Sequence, residues 1–150
     1  MIAYKIVMNK NGRLFSCNTN NEEMNYLNSM NIHSQCDKNK FPFILEYKIG
    51  EETKPNKGYI FVFDSLDNVI KFKSNFCWHD SELYECEINK LFEAKKIAIF
   101  NHNRDDFWNN YYENRMNIIE KVYGVISPPD GTLFTDSVKL IKKVDINDCL

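Results

Sequence analysis

Glycine occurs five times, proline four times and histidine three times in 150 residues, and none of the five cysteines sits in a Cys-x-x-Cys pair. With so little glycine the chain has no phosphate-cradling loop, and no Gly-x-Ser-x-Gly elbow presents a nucleophilic serine. The odd cysteine count without knuckle spacing argues against a disulfide framework and fits reduced thiols in a cytosol-like compartment. No apolar run approaches the roughly 18 residues that a membrane helix needs, and the first residues lack the basic and apolar segments of a secretory signal. A soluble, cytoplasmic protein without membrane contact is therefore expected. The net charge of −2 provides no basic field, which argues against extensive nucleic-acid binding through phosphate contacts.

What the chain does have is asparagine, twenty in all, with abundant Lys, Ile, Phe and Tyr. The codons of these residues are rich in A and T, so the bias reports an AT-rich genome and makes asparagine a poor marker of function. With 43% hydrophobic and 14% aromatic residues the chain can still build a core, and its length matches one domain spanning residues 1–150.

The pattern is organised around Gly58-Tyr59-Ile60-Phe61-Val62-Phe63-Asp64-Ser65. Its unbroken apolar run reads as a strand buried on both faces, and Asp64-Ser65 can cap a helix that carries Leu66, Val69, Ile70 and Phe72 toward the sheet. Upstream, residues 3–17 read as a hairpin closed by Asn11-Gly12, which pairs Lys10 with Arg13, Met8 with Phe15 and Ile6 with Cys17. Asn20 and Glu23 form a capping box before a helix over 21–31, residues 31–42 read as a loop, and alternation over 43–49 predicts a half-buried strand.

Downstream, Tyr84, Cys86 and Ile88 alternate with Glu85 and Glu87 in a strand. A turn or short helix spans 89–94, another strand 96–100, and the longest helix about 106–123, closed by Gly124. Pro128-Pro129-Asp130-Gly131 is a turn, and 138–144 is a last strand whose Lys139, Lys142 and Lys143 project to water. Strands interleaved with two or three helices and one tight hairpin predict an α+β domain with a mixed or antiparallel sheet.

Several residue groups can carry chemistry. In Cys77-Trp78-His79-Asp80 a thiol and an imidazole lie two residues apart and can form a nucleophile and base. With His33 and Cys36, the pair Cys77 and His79 offers four zinc ligands, although the ordinary expectation is no metal and no cofactor. His102 and Arg104 stand beside Asp105 and Asp106 before a helix, where the helix dipole already accounts for both acids. Glu93-Ala94-Lys95 behind Asp64 and Asp80 follows the outline of metal-dependent nucleases, a pattern that also arises by chance in charged chains. Trp108, Tyr111 and Tyr112, with Phe107 and Tyr123, exceed what one helix face hides and are candidates for a binding surface.

Three stretches, Ala3-Tyr4-Lys5-Ile6-Val7, the Gly58 to Leu66 block, and Gly131-Thr132-Leu133-Phe134-Thr135-Asp136-Ser137-Val138-Lys139-Leu140, together resemble small uncharacterised proteins of phages, large DNA viruses and some bacteria. That resemblance implies a viral or phage-like source, with the host cytoplasm as its location, and assigns no role to any residue. Gly58-Tyr59-Ile60-Phe61 and Ser65 also resemble the core of ADP-ribosyltransferases. No His-Gly-Thr precedes this block, however, and Asp136 and lysines stand where that family's glutamate belongs.

No catalytic set converges along the sequence. The functional expectation is a non-catalytic binding protein whose partner is a protein or a second copy. The alternative is an enzyme acting on a nucleotide or nucleic acid, which calls for a pocket gathering His79 or His102 with carboxylates.

Overall fold

A computed structural model describes residues 1–17, 19, 21–75, 81–89, 91–93, 97–98, 104–113, 115 and 125–145. The chain divides into two compact units, one of residues 1–93 with 129–150 and one of residues 94–128. The fold is α+β, with a nine-stranded antiparallel sheet in the first unit and three helices in all among the described residues.

Strands β1 (Ile2–Lys10) and β2 (Arg13–Ser16) form the hairpin that Asn11-Gly12 predicts. Both turn residues have positive φ, 54° and 85°, as a type I′ turn requires, and Lys10 faces Arg13 and Met8 faces Phe15. β1 is central because both of its edges are used. One edge pairs residues 2–8 with β6 (Ser81–Ile88). The other is shared: its C-terminal half pairs β2, while Tyr4 meets Phe63 of β5 (Ile60–Phe63). Past β5 lie β10 (Thr132–Thr135) and β7 (Leu91–Glu93). Past β6 lie β11 (Val138–Val144) and β4 (Glu52–Thr53), and β3 (Glu46–Tyr47) extends β2.

This connectivity makes the sheet curl. From β1 one route leads through β2 to β3, and the opposite route leads through β6 and β11 to β4, yet only four residues separate Tyr47 from Glu52. A flat sheet would hold β3 and β11 roughly 19 Å apart at 4.8 Å per strand. Instead Gly50, in the β3–β4 turn, donates its N–H to the Leu140 carbonyl of β11 at 2.8 Å. Among the described residues no ladder joins β3 to β4, so the sheet curls without closing.

The concave face gathers Ala3, Val7, Tyr47, Val62, Cys86 and Leu140 into one buried cluster. On the opposite face helix α2 (Leu66–Asn75) lays Val69 against Ile6 and Leu83, with Leu66 and Phe72 flanking. Ser65 caps α2 as expected, its Oγ accepting the Asn68 N–H at 3.3 Å. Helix α1 (Asn21–Ser29) buries Leu27 beside Met8, Phe15 and Ile44 on that same side.

Four expectations are corrected. Residues 59–63 are not buried on both faces: Ile60 and Val62 are buried, but Phe61, stacked on Phe134, and Phe63, tilted against Phe72, are half-buried. The strand predicted over 43–49 contracts to Glu46–Tyr47, since Ile44 bonds back to Phe41 and Ser16 takes up the Phe43 and Leu45 groups. Residues 91–93 form β7 rather than a turn or helix, because β10 offers an open edge to which they pair.

In the second unit, helix α3 (Arg104–Tyr112) ends with Glu113 in a turn and Arg115 outside any helix, so no unbroken helix runs over 106–123; residues 116–124 of the expected helix and its closing Gly124 lie outside the described residues. Adjacent Asn109 and Asn110 followed by two tyrosines give it little helix propensity to continue. Strand β8 (Ile97–Ala98), within the predicted 96–100, pairs β9 (Val125–Ile126). Among the described residues no helix is long and apolar enough to cross a membrane.

Candidate functional site

Of the residues singled out above, Asn20, Cys77, Trp78, His79, Asp80, Lys95, His102 and Tyr123 lie outside the described residues. Arg104 opens α3. His33 is exposed in the turns after α1, and Cys36 is half-buried beside the Phe41 cluster, where burial raises its thiol pKa. Among the described residues no three His, Cys, Asp or Glu side chains gather as a metal ion would require. Asp64 is turned to a structural task, its Oδ1 accepting the Asn68 amide at 2.8 Å. Trp108 is only 3% exposed, edge-on to Phe107 at 4.9 Å, and Tyr111 is half-buried. Tyr112 is 54% exposed.

The structure brings together a different set. A cavity of about 990 Å³ is bounded by the β1–β2 hairpin, the end of α1, the start of β6 and the end of β11. Its lining includes the polar Asn9, Lys10, Asn28, Asn31, Glu82 and Lys143 and the apolar Phe15, Leu27, Leu83 and Val144; Asn9, Glu82 and Lys143 stand on the concave face, and Phe15, Leu83 and Val144 on the opposite one. The tight hairpin fixes one side of this lining. Asn9 Oδ1 accepts the Gly12 N–H at 2.8 Å, which leaves the Asn9 Nδ2 pointing across the sheet.

That amide meets Glu82. Glu82 Oε1 accepts Asn9 Nδ2 at 2.9 Å and Lys143 Nζ at 3.3 Å, and Oε2 accepts the Tyr84 hydroxyl at 2.9 Å. Cross-strand pairing explains the convergence: Val7 faces Glu82, Lys5 faces Tyr84 and Lys143 faces Tyr84, so Asn9, Glu82, Tyr84 and Lys143 share one face. Partial burial, with the side chain 18% exposed, pushes the Glu82 carboxyl upward in pKa, but the three donors outweigh it and hold it below its ordinary value. Tyr84, buried and donating to this carboxylate, is pushed up to about 12.

A second carboxylate is satisfied inside the fold. Arg13 grips Glu46 with two 2.8 Å hydrogen bonds, from Nε and Nη2, while Nη1 donates to the Asn31 carbonyl at 3.0 Å. The fork raises the guanidinium pKa and lowers that of Glu46, and it ties β2 to β3 and to the chain leaving α1.

Chemically, the cavity offers hydrogen-bonding groups and one ordered negative charge. Glu82 stays ionised and Tyr84 stays protonated at neutral pH, so neither is poised to exchange protons there. No histidine or cysteine lines the cavity among the described residues. Comparison of the chain with protein-family models, with curated proteins and with solved structures finds no match.

Proposed function

We propose that this chain is a non-catalytic binding protein and that the cavity beside Glu82 receives a segment of a partner protein, a second copy of the chain included. The supporting observation is the Glu82 carboxylate, kept ionised at the cavity by three donors. The exposed Asn28 side chain at the cavity carries a donor and an acceptor, the combination that main-chain amides of a bound segment require.

The test is site-specific photocrosslinking in the source cells. The photoreactive residue p-benzoylphenylalanine is placed at Asn28 or Asn11 on the cavity wall, or at exposed Asp67 on α2 as a control. Both cavity positions are expected to capture one partner through a common segment, and Asp67 is not. Equal capture from Asp67, or no capture from either cavity position, overturns the reading.

A further inference from the structure

We infer that Glu82 is the anchor for a basic side chain of the partner, an ammonium or guanidinium on an aliphatic stem, and that Lys143 occupies this subsite until the partner arrives. The inference rests on the reading of the cavity as a protein-binding site.

Two fixed neutral donors create the demand for a cation. Tyr84 is buried, so its hydroxyl has one place to point, and the Asn9 amide is oriented by its own bond to the Gly12 N–H. They aim at one carboxylate without neutralising it. A carboxylate has about four acceptor positions, and these two donors leave room for a charged one.

Lys143 fills that room loosely. Its contact at 3.3 Å is the longest of the three, and its side chain is 60% exposed. The contrast within the same molecule is Glu46, which a guanidinium grips twice at 2.8 Å. Where the fold needs a carboxylate permanently neutralised it uses a fork. At Glu82 it uses a swinging amine that a better-placed cation can displace.

Leu83 and Val144 follow Glu82 and Lys143 along their strands and face the other side of the sheet, so their main-chain amides adjoin the subsite while their side chains belong to the core. Lys10 at the wall and Asp145 at the end of β11 are the other charged groups of the cavity, of opposite sign, besides the paired Arg13.

The test titrates the full chain with acetyl-Gly-Lys-Gly-amide, acetyl-Gly-Arg-Gly-amide, acetyl-Gly-Gln-Gly-amide and cadaverine, read by calorimetry and by amide shifts of Leu83 and Val144. The lysine and arginine peptides are expected to bind roughly tenfold more tightly than the glutamine peptide, the cost of leaving Glu82 without its cation. Lys143→Gln is expected to tighten both about two- to fivefold, since it removes an exposed competing ion pair. Glu82→Gln is expected to abolish the preference.

Tightening by Lys143→Gln is the decisive sign, because a purely structural Lys143 gives no change or a loss. It also substitutes an exposed amine, so it decides the matter even if Glu82→Gln fails to fold. Equal binding of the glutamine peptide, or weaker binding by Lys143→Gln, overturns the inference, and cadaverine binding tighter than the peptides overturns assignment to a partner's side chain. If crosslinking from the cavity captures a segment without lysine or arginine, this inference fails while the binding reading stands.

Discussion

Lys5 donates from Nζ to the Phe61 carbonyl at 2.7 Å, a bond from the central strand β1 to β5 made on the concave face of the sheet. The ammonium lies 5.9 Å from the centroid of the buried Tyr47 ring, and its cross-strand neighbour is Tyr84. A carbonyl and a ring are weak compensation for a charge taken out of water, and no carboxylate is paired with Lys5 among the described residues.

The first prediction follows from that enclosure. Burial lowers the Lys5 pKa below its ordinary value of 10.5, and the Cys17 and Cys86 thiols oppose this only in part. Below the folded-state pKa both states carry the proton and the folded state bears the full cost of the charge. Between that pKa and 10.5 the unfolded chain holds a proton that the folded chain has shed, so stability rises with pH through this window. Lys5→Met removes the effect. Its stability relative to the wild type is expected to be greatest at neutral pH and to shrink toward pH 10, measured by urea melts across that range; an unchanging difference refutes the enclosure.

The second prediction concerns Cys86, which is 0% exposed and sits opposite Ala3 and Leu140. Burial pushes its thiol from 9.0 up to about 12. This group contributes stability that is fully present below pH 9 and is lost as pH rises toward 12, and Tyr84 adds to the same alkaline loss between 10 and about 12. Iodoacetamide labelling followed by peptide mapping is expected to modify half-buried Cys36 and Cys17 before Cys86. Cys86 reacts only at the rate of global unfolding; early labelling of Cys86 in native protein contradicts its placement.

The parts of this fold that were legible in the sequence are those in which one short stretch contains its own cause. Asn11-Gly12 supplies both positive φ values of its turn, and the apolar alternation on either side sets the register. Ser65 caps the helix that follows it within the same segment. Misreadings occurred where a distant partner decides the outcome. Residues 91–93 are strand because β10, some forty positions away, has an edge for them, and the Ser16 hydroxyl, at the end of β2, takes up the groups at 43 and 45.

The cavity lies wholly in that second category. Glu82 receives Asn9 from 73 residues away and Lys143 from 61, so no local spacing marks it. The one available signal was the strand itself: once Tyr84 and Cys86 are assigned to the concave face, Glu82 must share that face by alternation, an acid in line with buried residues. The His and Cys candidates stood out by residue type, a signal carrying no geometry.

The third prediction tests the fork between Arg13 and Glu46. Both side chains are largely buried, and a lysine at position 13 can keep the charge but cannot reproduce two parallel bonds and a third to the Asn31 carbonyl. Arg13→Lys is expected to destabilise the protein by about 1–2 kcal/mol at neutral pH, more than a surface pair would. Because Glu46 has a lowered pKa, its contribution is present above pH 4.5 and is lost as pH falls through the folded-state value. The difference between wild type and Arg13→Lys should therefore narrow in acid, and equal melts at pH 7 would show that the fork contributes nothing.

The fourth prediction compares two glycines that share a backbone conformation and differ in surroundings. Gly12 and Gly131 have φ of 85° and 78°, so alanine at either position suffers the left-handed penalty, about 1–2 kcal/mol. Around Gly12 a Cβ would meet nothing within 4 Å, whereas at Gly131 it would overlap the Asn68 amide and the Asp64 carboxylate. That amide and carboxylate are bonded to each other at 2.8 Å, and Asp64 N–H donates to the Gly131 carbonyl at 2.9 Å, so the turn at Gly131 that opens β10 is seated on the start of α2. Alanine there must break the Asn68–Asp64 bond or move the turn. Gly131→Ala is expected to cost at least about 1 kcal/mol more than Gly12→Ala, the worth of one such hydrogen bond, in paired thermal melts. Adding Asn68→Ala to Gly131→Ala should recover part of the loss, because it clears the overlapping amide. A loss equal to that of Gly12→Ala would mean that the turn does not rest against Asp64 and Asn68.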